Sequence, residues 1–265
     1  MKLLDSKSTT KILITVLAVI IVSILLKLSI GKIENFLFPD RFDPDIEKTP
    51  VSEELSEIPV YIINMESRKD RQEHMTKLMK ALGFKNYTFV RPVPIDVAVS
   101  DPMMEGTNFT PSKASNTLTF FKIFKEAPYD KYIIMEDDID IYFNDTNMTE
   151  IYNSAKSHPW DLLYFEFCFA DCKNLVNVAS NLYKLPAAVC TGCTMFKKEA
   201  GLKLVENFDN KSGAKDRYFS NMNVAGEINS YGYPLFRQNP KFGSDLEGSF
   251  KYKHANLFAK ICSGS

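Results

Sequence analysis

Apolar positions in this chain come in blocks of changing period. The first block runs from Ile12 to Leu26 with only Thr15 and Ser23 as polar members, and after Lys27 it continues as Leu28-Ser29-Ile30. The nineteen residues from Ile12 to Ile30 are long enough to span a bilayer if Lys27 reaches to the interface. Pro39, Pro44, Pro50 and Pro59 then punctuate an acidic stretch from Phe36 to Pro59, which reads as an extended stem. Past it the blocks shorten. Val60-Tyr61-Ile62-Ile63 is a continuous apolar run, the form of a strand buried on both faces. Ser67-x-x-Asp70 resembles a helix N-cap box, with Met75, Leu78, Met79 and Leu82 following at helical spacing and Gly83 as a stop. The pattern next predicts a strand at Phe89–Val93, a helix at Leu118–Glu126 packing Phe120, Phe121 and Phe124, and a strand at Tyr132–Met135. It ends with strands at Leu162–Phe167 and Ala187–Phe196 and a helix at Lys197–Asn207. Alternating strands and helices predict an α/β domain around a largely parallel sheet.

Two strand ends carry candidate chemistry. Tyr132–Met135 runs directly into Glu136-Asp137-Asp138-Ile139-Asp140. Carboxylates past the C-terminal end of a buried strand lie where open α/β sheets bind ligands. They suit Mg²⁺ or Mn²⁺, hard cations that often share ligands with a diphosphate. An acidic strand-to-loop turn is the plainer reading of the same residues. The turn after Ile63 reads Asn64-Met65-Glu66-Ser67-Arg68-Lys69-Asp70-Arg71. There Asn64 can hydrogen-bond a base or ribose, and Arg68 and Arg71 can hold a diphosphate bidentately. A solvated first helical turn would also carry such charges.

Composition narrows the class. The chain has 265 residues, 45% of them hydrophobic, with a formal net charge of −1, which fits one globular domain plus appendages and gives no footprint for nucleic acid. His74, His158 and His254 are far apart, so no His-rich metal site is visible. Lys2, Lys7 and Lys11 outweigh Asp5 before the long apolar block, whereas Gly31–Ile58 holds three basic and eight acidic residues. This bias predicts a cytoplasmic N-terminus and an exported bulk; a signal peptide cleaved near Ser29-Ile30-Gly31 is the alternative. Sequons at Asn86, Asn108, Asn144, Asn147 and Asn210 agree with export. Cys168, Cys172, Cys190 and Cys193 suit disulfides, leaving Cys262 odd, although their spacing also approaches that of a zinc ribbon.

Several of these segments, in this order, resemble glycosyltransferase family 25, which includes bacterial lipopolysaccharide galactosyltransferases and procollagen galactosyltransferase-like enzymes. Val60–Asn64 followed by Ser67-Arg68-Lys69-Asp70-Arg71 is similar to the family's opening strand and basic turn. Ile133–Asp138 resembles its hydrophobic strand ending in Glu-Asp-Asp, and Trp160-Asp161-Leu162-Leu163-Tyr164 its Trp-Asp-Ile-Leu strand. Cys190-Thr191 with Ala200, Asp216, and Pro234, Gln238 and Ser244-Asp245-Leu246 match later marks. The chain departs from the pattern at Ser115-Asn116, where the family has Ser-His, and at Thr191-Gly192-Cys193-Thr194, where it has Thr-His-Ala-Tyr.

The resemblance implies a single GT-A-like domain that binds a nucleotide sugar, to which the apolar block adds an N-terminal transmembrane helix. Together they give a cytoplasmic tail at 1–11, a signal-anchor at 12–30, a stem at 31–57, the catalytic domain at 58–258 and a short tail at 259–265. That is the type II arrangement of many secretory-pathway glycosyltransferases, with the catalytic domain in the lumen of the endoplasmic reticulum or Golgi or otherwise outside the cytoplasm. The implied reaction is inverting transfer of galactose or glucose from a UDP-sugar to a hydroxyl of a glycan or protein. The implied cofactor is Mn²⁺ or Mg²⁺ on Asp138, with Glu136 or Asp140 assisting. Asn64, Arg68, Arg71 and Asp137 serve the donor, and Asp216 is the general base. A helix cap is the simpler reading of Asp216. The competing readings are an inactive GT-A-like membrane protein that binds a sugar or a partner, and a nucleotidyltransferase. The latter is disfavoured because residues 64–71 contain no Gly.

Overall fold

The computed structural model describes residues 48–142, 145–167, 169–170, 174–209, 211, 213–239 and 241–243. All of these belong to one compact unit, Asp43–Ser265. The expected tail, anchor and most of the stem, residues 259–265, Ser244-Asp245-Leu246, Cys168, Cys172, Cys262, Asn144 and Asn210 lie outside the described residues. Among the described residues no helix is long and apolar enough to cross a membrane.

Twelve strands are described: β1 (Val60–Ile63), β2 (Tyr87–Val90), β3 (Lys131–Glu136), β4 (Ile139–Ile141), β5 (Leu162–Tyr164), β6 (Phe169–Ala170), β7 (Val176–Ala179), β8 (Leu182–Leu185), β9 (Ala188–Val189), β10 (Cys193–Lys197), β11 (Ser230–Gly232) and β12 (Phe236–Gln238). The helices are α1 (Glu53–Ser56), α2 (Lys69–Leu82), α3 (Ile95–Ser100), α4 (Pro111–Glu126), α5 (Met148–Ala155), α6 (Lys198–Glu206) and α7 (Lys215–Val224). Eight strands form one mixed sheet in the order β2-β1-β3-β10-β5-β11-β8-β7, while β4 pairs with β12 and β6 with β9 in small ribbons. Strand β1 runs parallel to both β2 and β3, and β10 is antiparallel to β3 and β5.

The two faces of the sheet bury alternate residues of the same strands, as the period of two requires. On one face Ile62, Ile133 and Met135 pack with Met75, Leu78, Met79 and Leu82 of α2. On the other, Ile63, Tyr132 and Ile134 meet Phe120, Phe121 and Phe124 of α4, together with Phe196 and Phe219. Each such fully buried aromatic or aliphatic side chain contributes on the order of 1.5–3 kcal/mol of burial free energy. Helix α2 ends at Gly83 in the left-handed region, φ 75°, as its position predicts.

Several boundaries differ from the periodic reading. Helix α4 starts at Pro111 rather than Leu118, because Thr110 accepts from Lys113 N–H and Pro111 fits the first turn. Arg68 rather than Ser67 occupies the cap position of α2, with no side-chain cap bond. The single strand expected at Ala187–Phe196 is broken into β9 and β10 at Cys190, whose φ of 70° is incompatible with a continuing strand. Cys190 is disulfide-bonded and Cys193 is a free, buried thiol. That divides the Cys190–Cys193 pair of the supposed zinc spacing and removes Cys193 from any disulfide. Of the sequon asparagines, Asn86 and Asn108 are exposed, and Asn147 caps α5 through Glu150 N–H.

Candidate active site

Strand register assembles the site. Ile63 of β1 stands opposite Glu136 of β3, so the residues that follow each strand, Asn64 and Asp137, meet. Asn64 Nδ2 donates to Asp137 Oδ2 at 2.7 Å. Helix α2 brings Arg71 to the same point. Its Nη1 donates to Asp137 Oδ1 at 2.6 Å and lies 3.5 Å from Asp138 Oδ2, and its Nη2 donates to the Gly243 carbonyl at 2.8 Å. Arg68 bonds Asp70, holding that carboxyl at about 2, well below its ordinary value, and reaches the Phe242 carbonyl at 3.1 Å. Both guanidiniums expected on the diphosphate therefore have protein partners. Arg71 nonetheless lines the cleft described below.

The antiparallel neighbour supplies the other flank. Cys193 pairs with Met135, which sets Gly192 beside Glu136, and Glu136 N–H donates to the Gly192 carbonyl at 2.8 Å. Gly192 N–H in turn donates to Glu166 Oε2 at 2.8 Å. A Cβ at Gly192 would lie 2.9 Å from both that oxygen and Ile139 Cγ2, so the backbone approaches a buried carboxyl here as only glycine allows. Burial pushes the Glu166 carboxyl up to about 8; the Gly192 N–H opposes this, and Glu136, Asp216 and Asp138 reinforce it.

Thr191 extends the constellation to α7. Lys215 Nζ donates to Thr191 Oγ1 at 2.7 Å and to Asp216 Oδ1 at 2.8 Å, and lies 3.5 Å from Glu136 Oε1. Thr191 donates to the same Asp216 oxygen at 3.2 Å. The Lys215 ammonium also sits 4.4 Å from the Phe120 ring centroid, a favourable cation–π arrangement. Burial pulls its pKa down, but Asp216 and Glu136 more than offset that and leave it raised. Asp216, in the first turn of α7 as expected, is thus joined to the acidic strand end through Lys215 and keeps 30% side-chain exposure.

Asp138 is 5% exposed. Burial raises its carboxyl to about 8, with Glu136 and Asp137 reinforcing and Arg71 opposing. Its Oδ1 is buried without a hydrogen-bond partner. Asp140 has a different setting on β4, where it accepts from Ile141 N–H and lies 3.5 Å from Lys48 and 3.7 Å from His74. The structure brings Glu136 and Asp138 to the cleft but gives Asp140 partners that neither of them shares. Among the described residues no group of three His, Cys, Asp or Glu side chains is placed to hold a metal ion by itself. The unpartnered Oδ1 of Asp138 and the neighbouring Glu136 are hard oxygen donors. They fit a cation that takes most of its ligands from a diphosphate.

A cleft of about 330 Å³ opens at this end of β1 and β3. Glu136, Asp137, Asp138, Arg71, Pro92 and Asn116 are among the residues that line it. Two functional candidates were missed by the sequence reading. Glu166 gave one signal, a charge inside the apolar run Leu162–Phe167. Lys215 gave none beyond adjacency to Asp216.

No family model and no curated protein matches the sequence. Among solved structures, the inositol-1-phosphate CTP transferase from T. maritima aligns at 14% identity and a TM-score of 0.42, covering 79% of this chain and 98% of its own. A UDP-glucose pyrophosphorylase complexed with UDP-glucose aligns at 10% and 0.38, covering 66% and 72%. Mouse xyloside xylosyltransferase 1 aligns at 12% and 0.37, covering 67% and 72%. At such scores these likenesses bear on neither the family nor the chemistry of this chain. What the chain itself defines is a mixed α/β domain with a carboxylate-lined cleft at the C-terminal end of adjacent parallel strands.

Proposed function

We propose that this protein is an inverting, metal-dependent hexosyltransferase of the family 25 type, moving galactose or glucose from a UDP-sugar to a hydroxyl of a glycan or protein. The observation that carries this reading is the convergence of Asn64, Arg71, Glu136 and Asp138 at one end of the sheet, with Asp216 joined to Glu136 through Lys215. Asp138 and Glu136 would hold Mn²⁺ or Mg²⁺, whose chemistry is to neutralise charge on a leaving diphosphate. Asn64 and Arg71 fix the Asp137 carboxylate, and Arg71, beside Asp138, places positive charge at the cleft wall. Asp216 takes the proton of the acceptor hydroxyl as its oxygen bonds the anomeric carbon and the bond to UDP breaks. Thr191 and Lys215 both donate to one oxygen of Asp216, so the base is held in one orientation.

The full chain, incubated with Mn²⁺ and either UDP-galactose or UDP-glucose, should release UDP, measured by a coupled assay. No release from any UDP-hexose would defeat the reading. A specific observation favours one alternative, an inactive sugar- or partner-binding fold: Glu136, Asp137 and Asp138 each have a cationic side chain within 3.5 Å. Under that alternative UDP binds without turnover.

The same proposal includes a type II anchor at residues 12–30, with the α/β domain lumenal or extracytoplasmic. Protease added to sealed vesicles should leave that domain intact until detergent is present. Digestion without detergent would reverse the orientation.

A further inference from the structure

Besides its carboxylates the cleft has an apolar wall, and Arg91, Ser112 and the amides of Asn116 and Gln238 also line it. Pro92, Val93, Pro94 and Ile95 form that wall. Its position is set by α4, since Val93 N–H donates to Thr119 Oγ1 at 2.9 Å and Ser115 Oγ donates back to the Val93 carbonyl. The two hydroxyls belong to successive turns of one helix face and are buried, so wall and helix form one fixed unit. Asn116 follows Ser115 and lines the cleft, and its Oδ1 is buried without a hydrogen-bond partner. A buried carbonyl oxygen left unpaired is costly, and at a cleft wall it suits an N–H or O–H brought by a ligand.

We infer that Asn116 determines nucleotide specificity: its Oδ1 accepts the N3–H of uracil while the Pro92–Ile95 wall packs against the ring. This rests on the nucleotide-sugar reading proposed above and adds the residue that reads the base. The wall decides between base and sugar. A flat heterocycle has apolar faces and a polar edge, which fits an apolar wall in a cleft that also carries an unpaired amide oxygen. A hexose presents hydroxyls around its ring and would bury several of them unpaired against proline and valine. The carboxylates and Arg71 line the same cleft, and the charged half of the nucleotide would lie with them.

The test is calorimetric titration of the full chain, with Mn²⁺ present, by UDP and by ribose 5-diphosphate, which lacks the base. Asn116→Ala should weaken UDP roughly tenfold, about the loss of one buried hydrogen bond, and should change ribose 5-diphosphate by less than about twofold. Equal weakening of both ligands, or unchanged UDP binding, overturns the inference. A second measurement needs no variant: N3-methyl-UDP lacks the donated proton and should bind the unaltered protein at least about tenfold more weakly than UDP. Equal binding of the two again overturns it. If the unaltered protein binds UDP and ribose 5-diphosphate equally, only this inference fails. If it binds neither, the nucleotide-sugar reading fails and takes this inference with it.

Discussion

Asp138→Asn should reduce Mn²⁺-dependent UDP release by roughly 10²–10³-fold, the several kcal/mol that a positioned cation contributes to charge stabilisation. The side chain is buried at the strand end, one of its oxygens is unpartnered, and a carboxamide of the same shape removes its charge while offering that site a weaker donor. The fold should survive, because Asp138 contributes its backbone carbonyl to Asn239 N–H at 2.6 Å, a bond untouched by the substitution. A thermal melt at or above that of the unaltered protein, together with lost turnover, is the expected pair of results. Asp140→Asn is the control. Its partners are Lys48, His74 and the Ile141 N–H, so turnover should stay within about threefold. If Asp140→Asn is the variant that loses metal dependence, the cation belongs on β4 and the assignment of Asp138 is wrong.

Asp216→Asn should lower kcat by ~10²–10⁴, the range expected for loss of a general base, with the Kd for UDP essentially unchanged. The asparagine oxygen can still accept from Lys215 and Thr191, which now bond the carboxylate, so the constellation keeps its shape while basicity is lost. A kcat within about threefold of the unaltered enzyme would remove Asp216 from the chemistry. Anomeric configuration is an independent readout. A product of the same configuration as the donor sugar would mean retention and a different role for each carboxylate named here.

Much of the framework was legible because it depends on local periodicity. The apolar run Val60–Ile63 became β1 with the predicted ends, and Met75, Leu78, Met79 and Leu82 became the buried face of α2. The acidic cluster fell at the end of β3, and Asp216 in the first turn of a helix. Elements whose form is set by a cap or by a partner were misplaced or missed. The first two turns of α4 carry few apolar residues and depend on Thr110 and Pro111. Strand β11, Ser230–Gly232, has almost no apolar pattern and exists because β5 and β8 flank it.

The sequence by itself determined which residue types stand at the ends of which strands, since a buried strand, its terminal carboxylates and a basic turn are written within a few consecutive positions. It could not determine their pairings. Asn64 meets Asp137 because of the parallel register of β1 and β3, and Glu166 meets Gly192 because β10 returns antiparallel between β3 and β5. Lys215 reaches Glu136 across 79 positions of chain. Only tertiary structure sorted the acidic cluster, turning Asp138 toward Arg71 and the cleft and Asp140 toward His74 and Lys48. The physical reason is that a carboxylate's neighbours are fixed by sheet register and helix packing between distant segments, whereas its presence at a strand end is fixed by the chain alone.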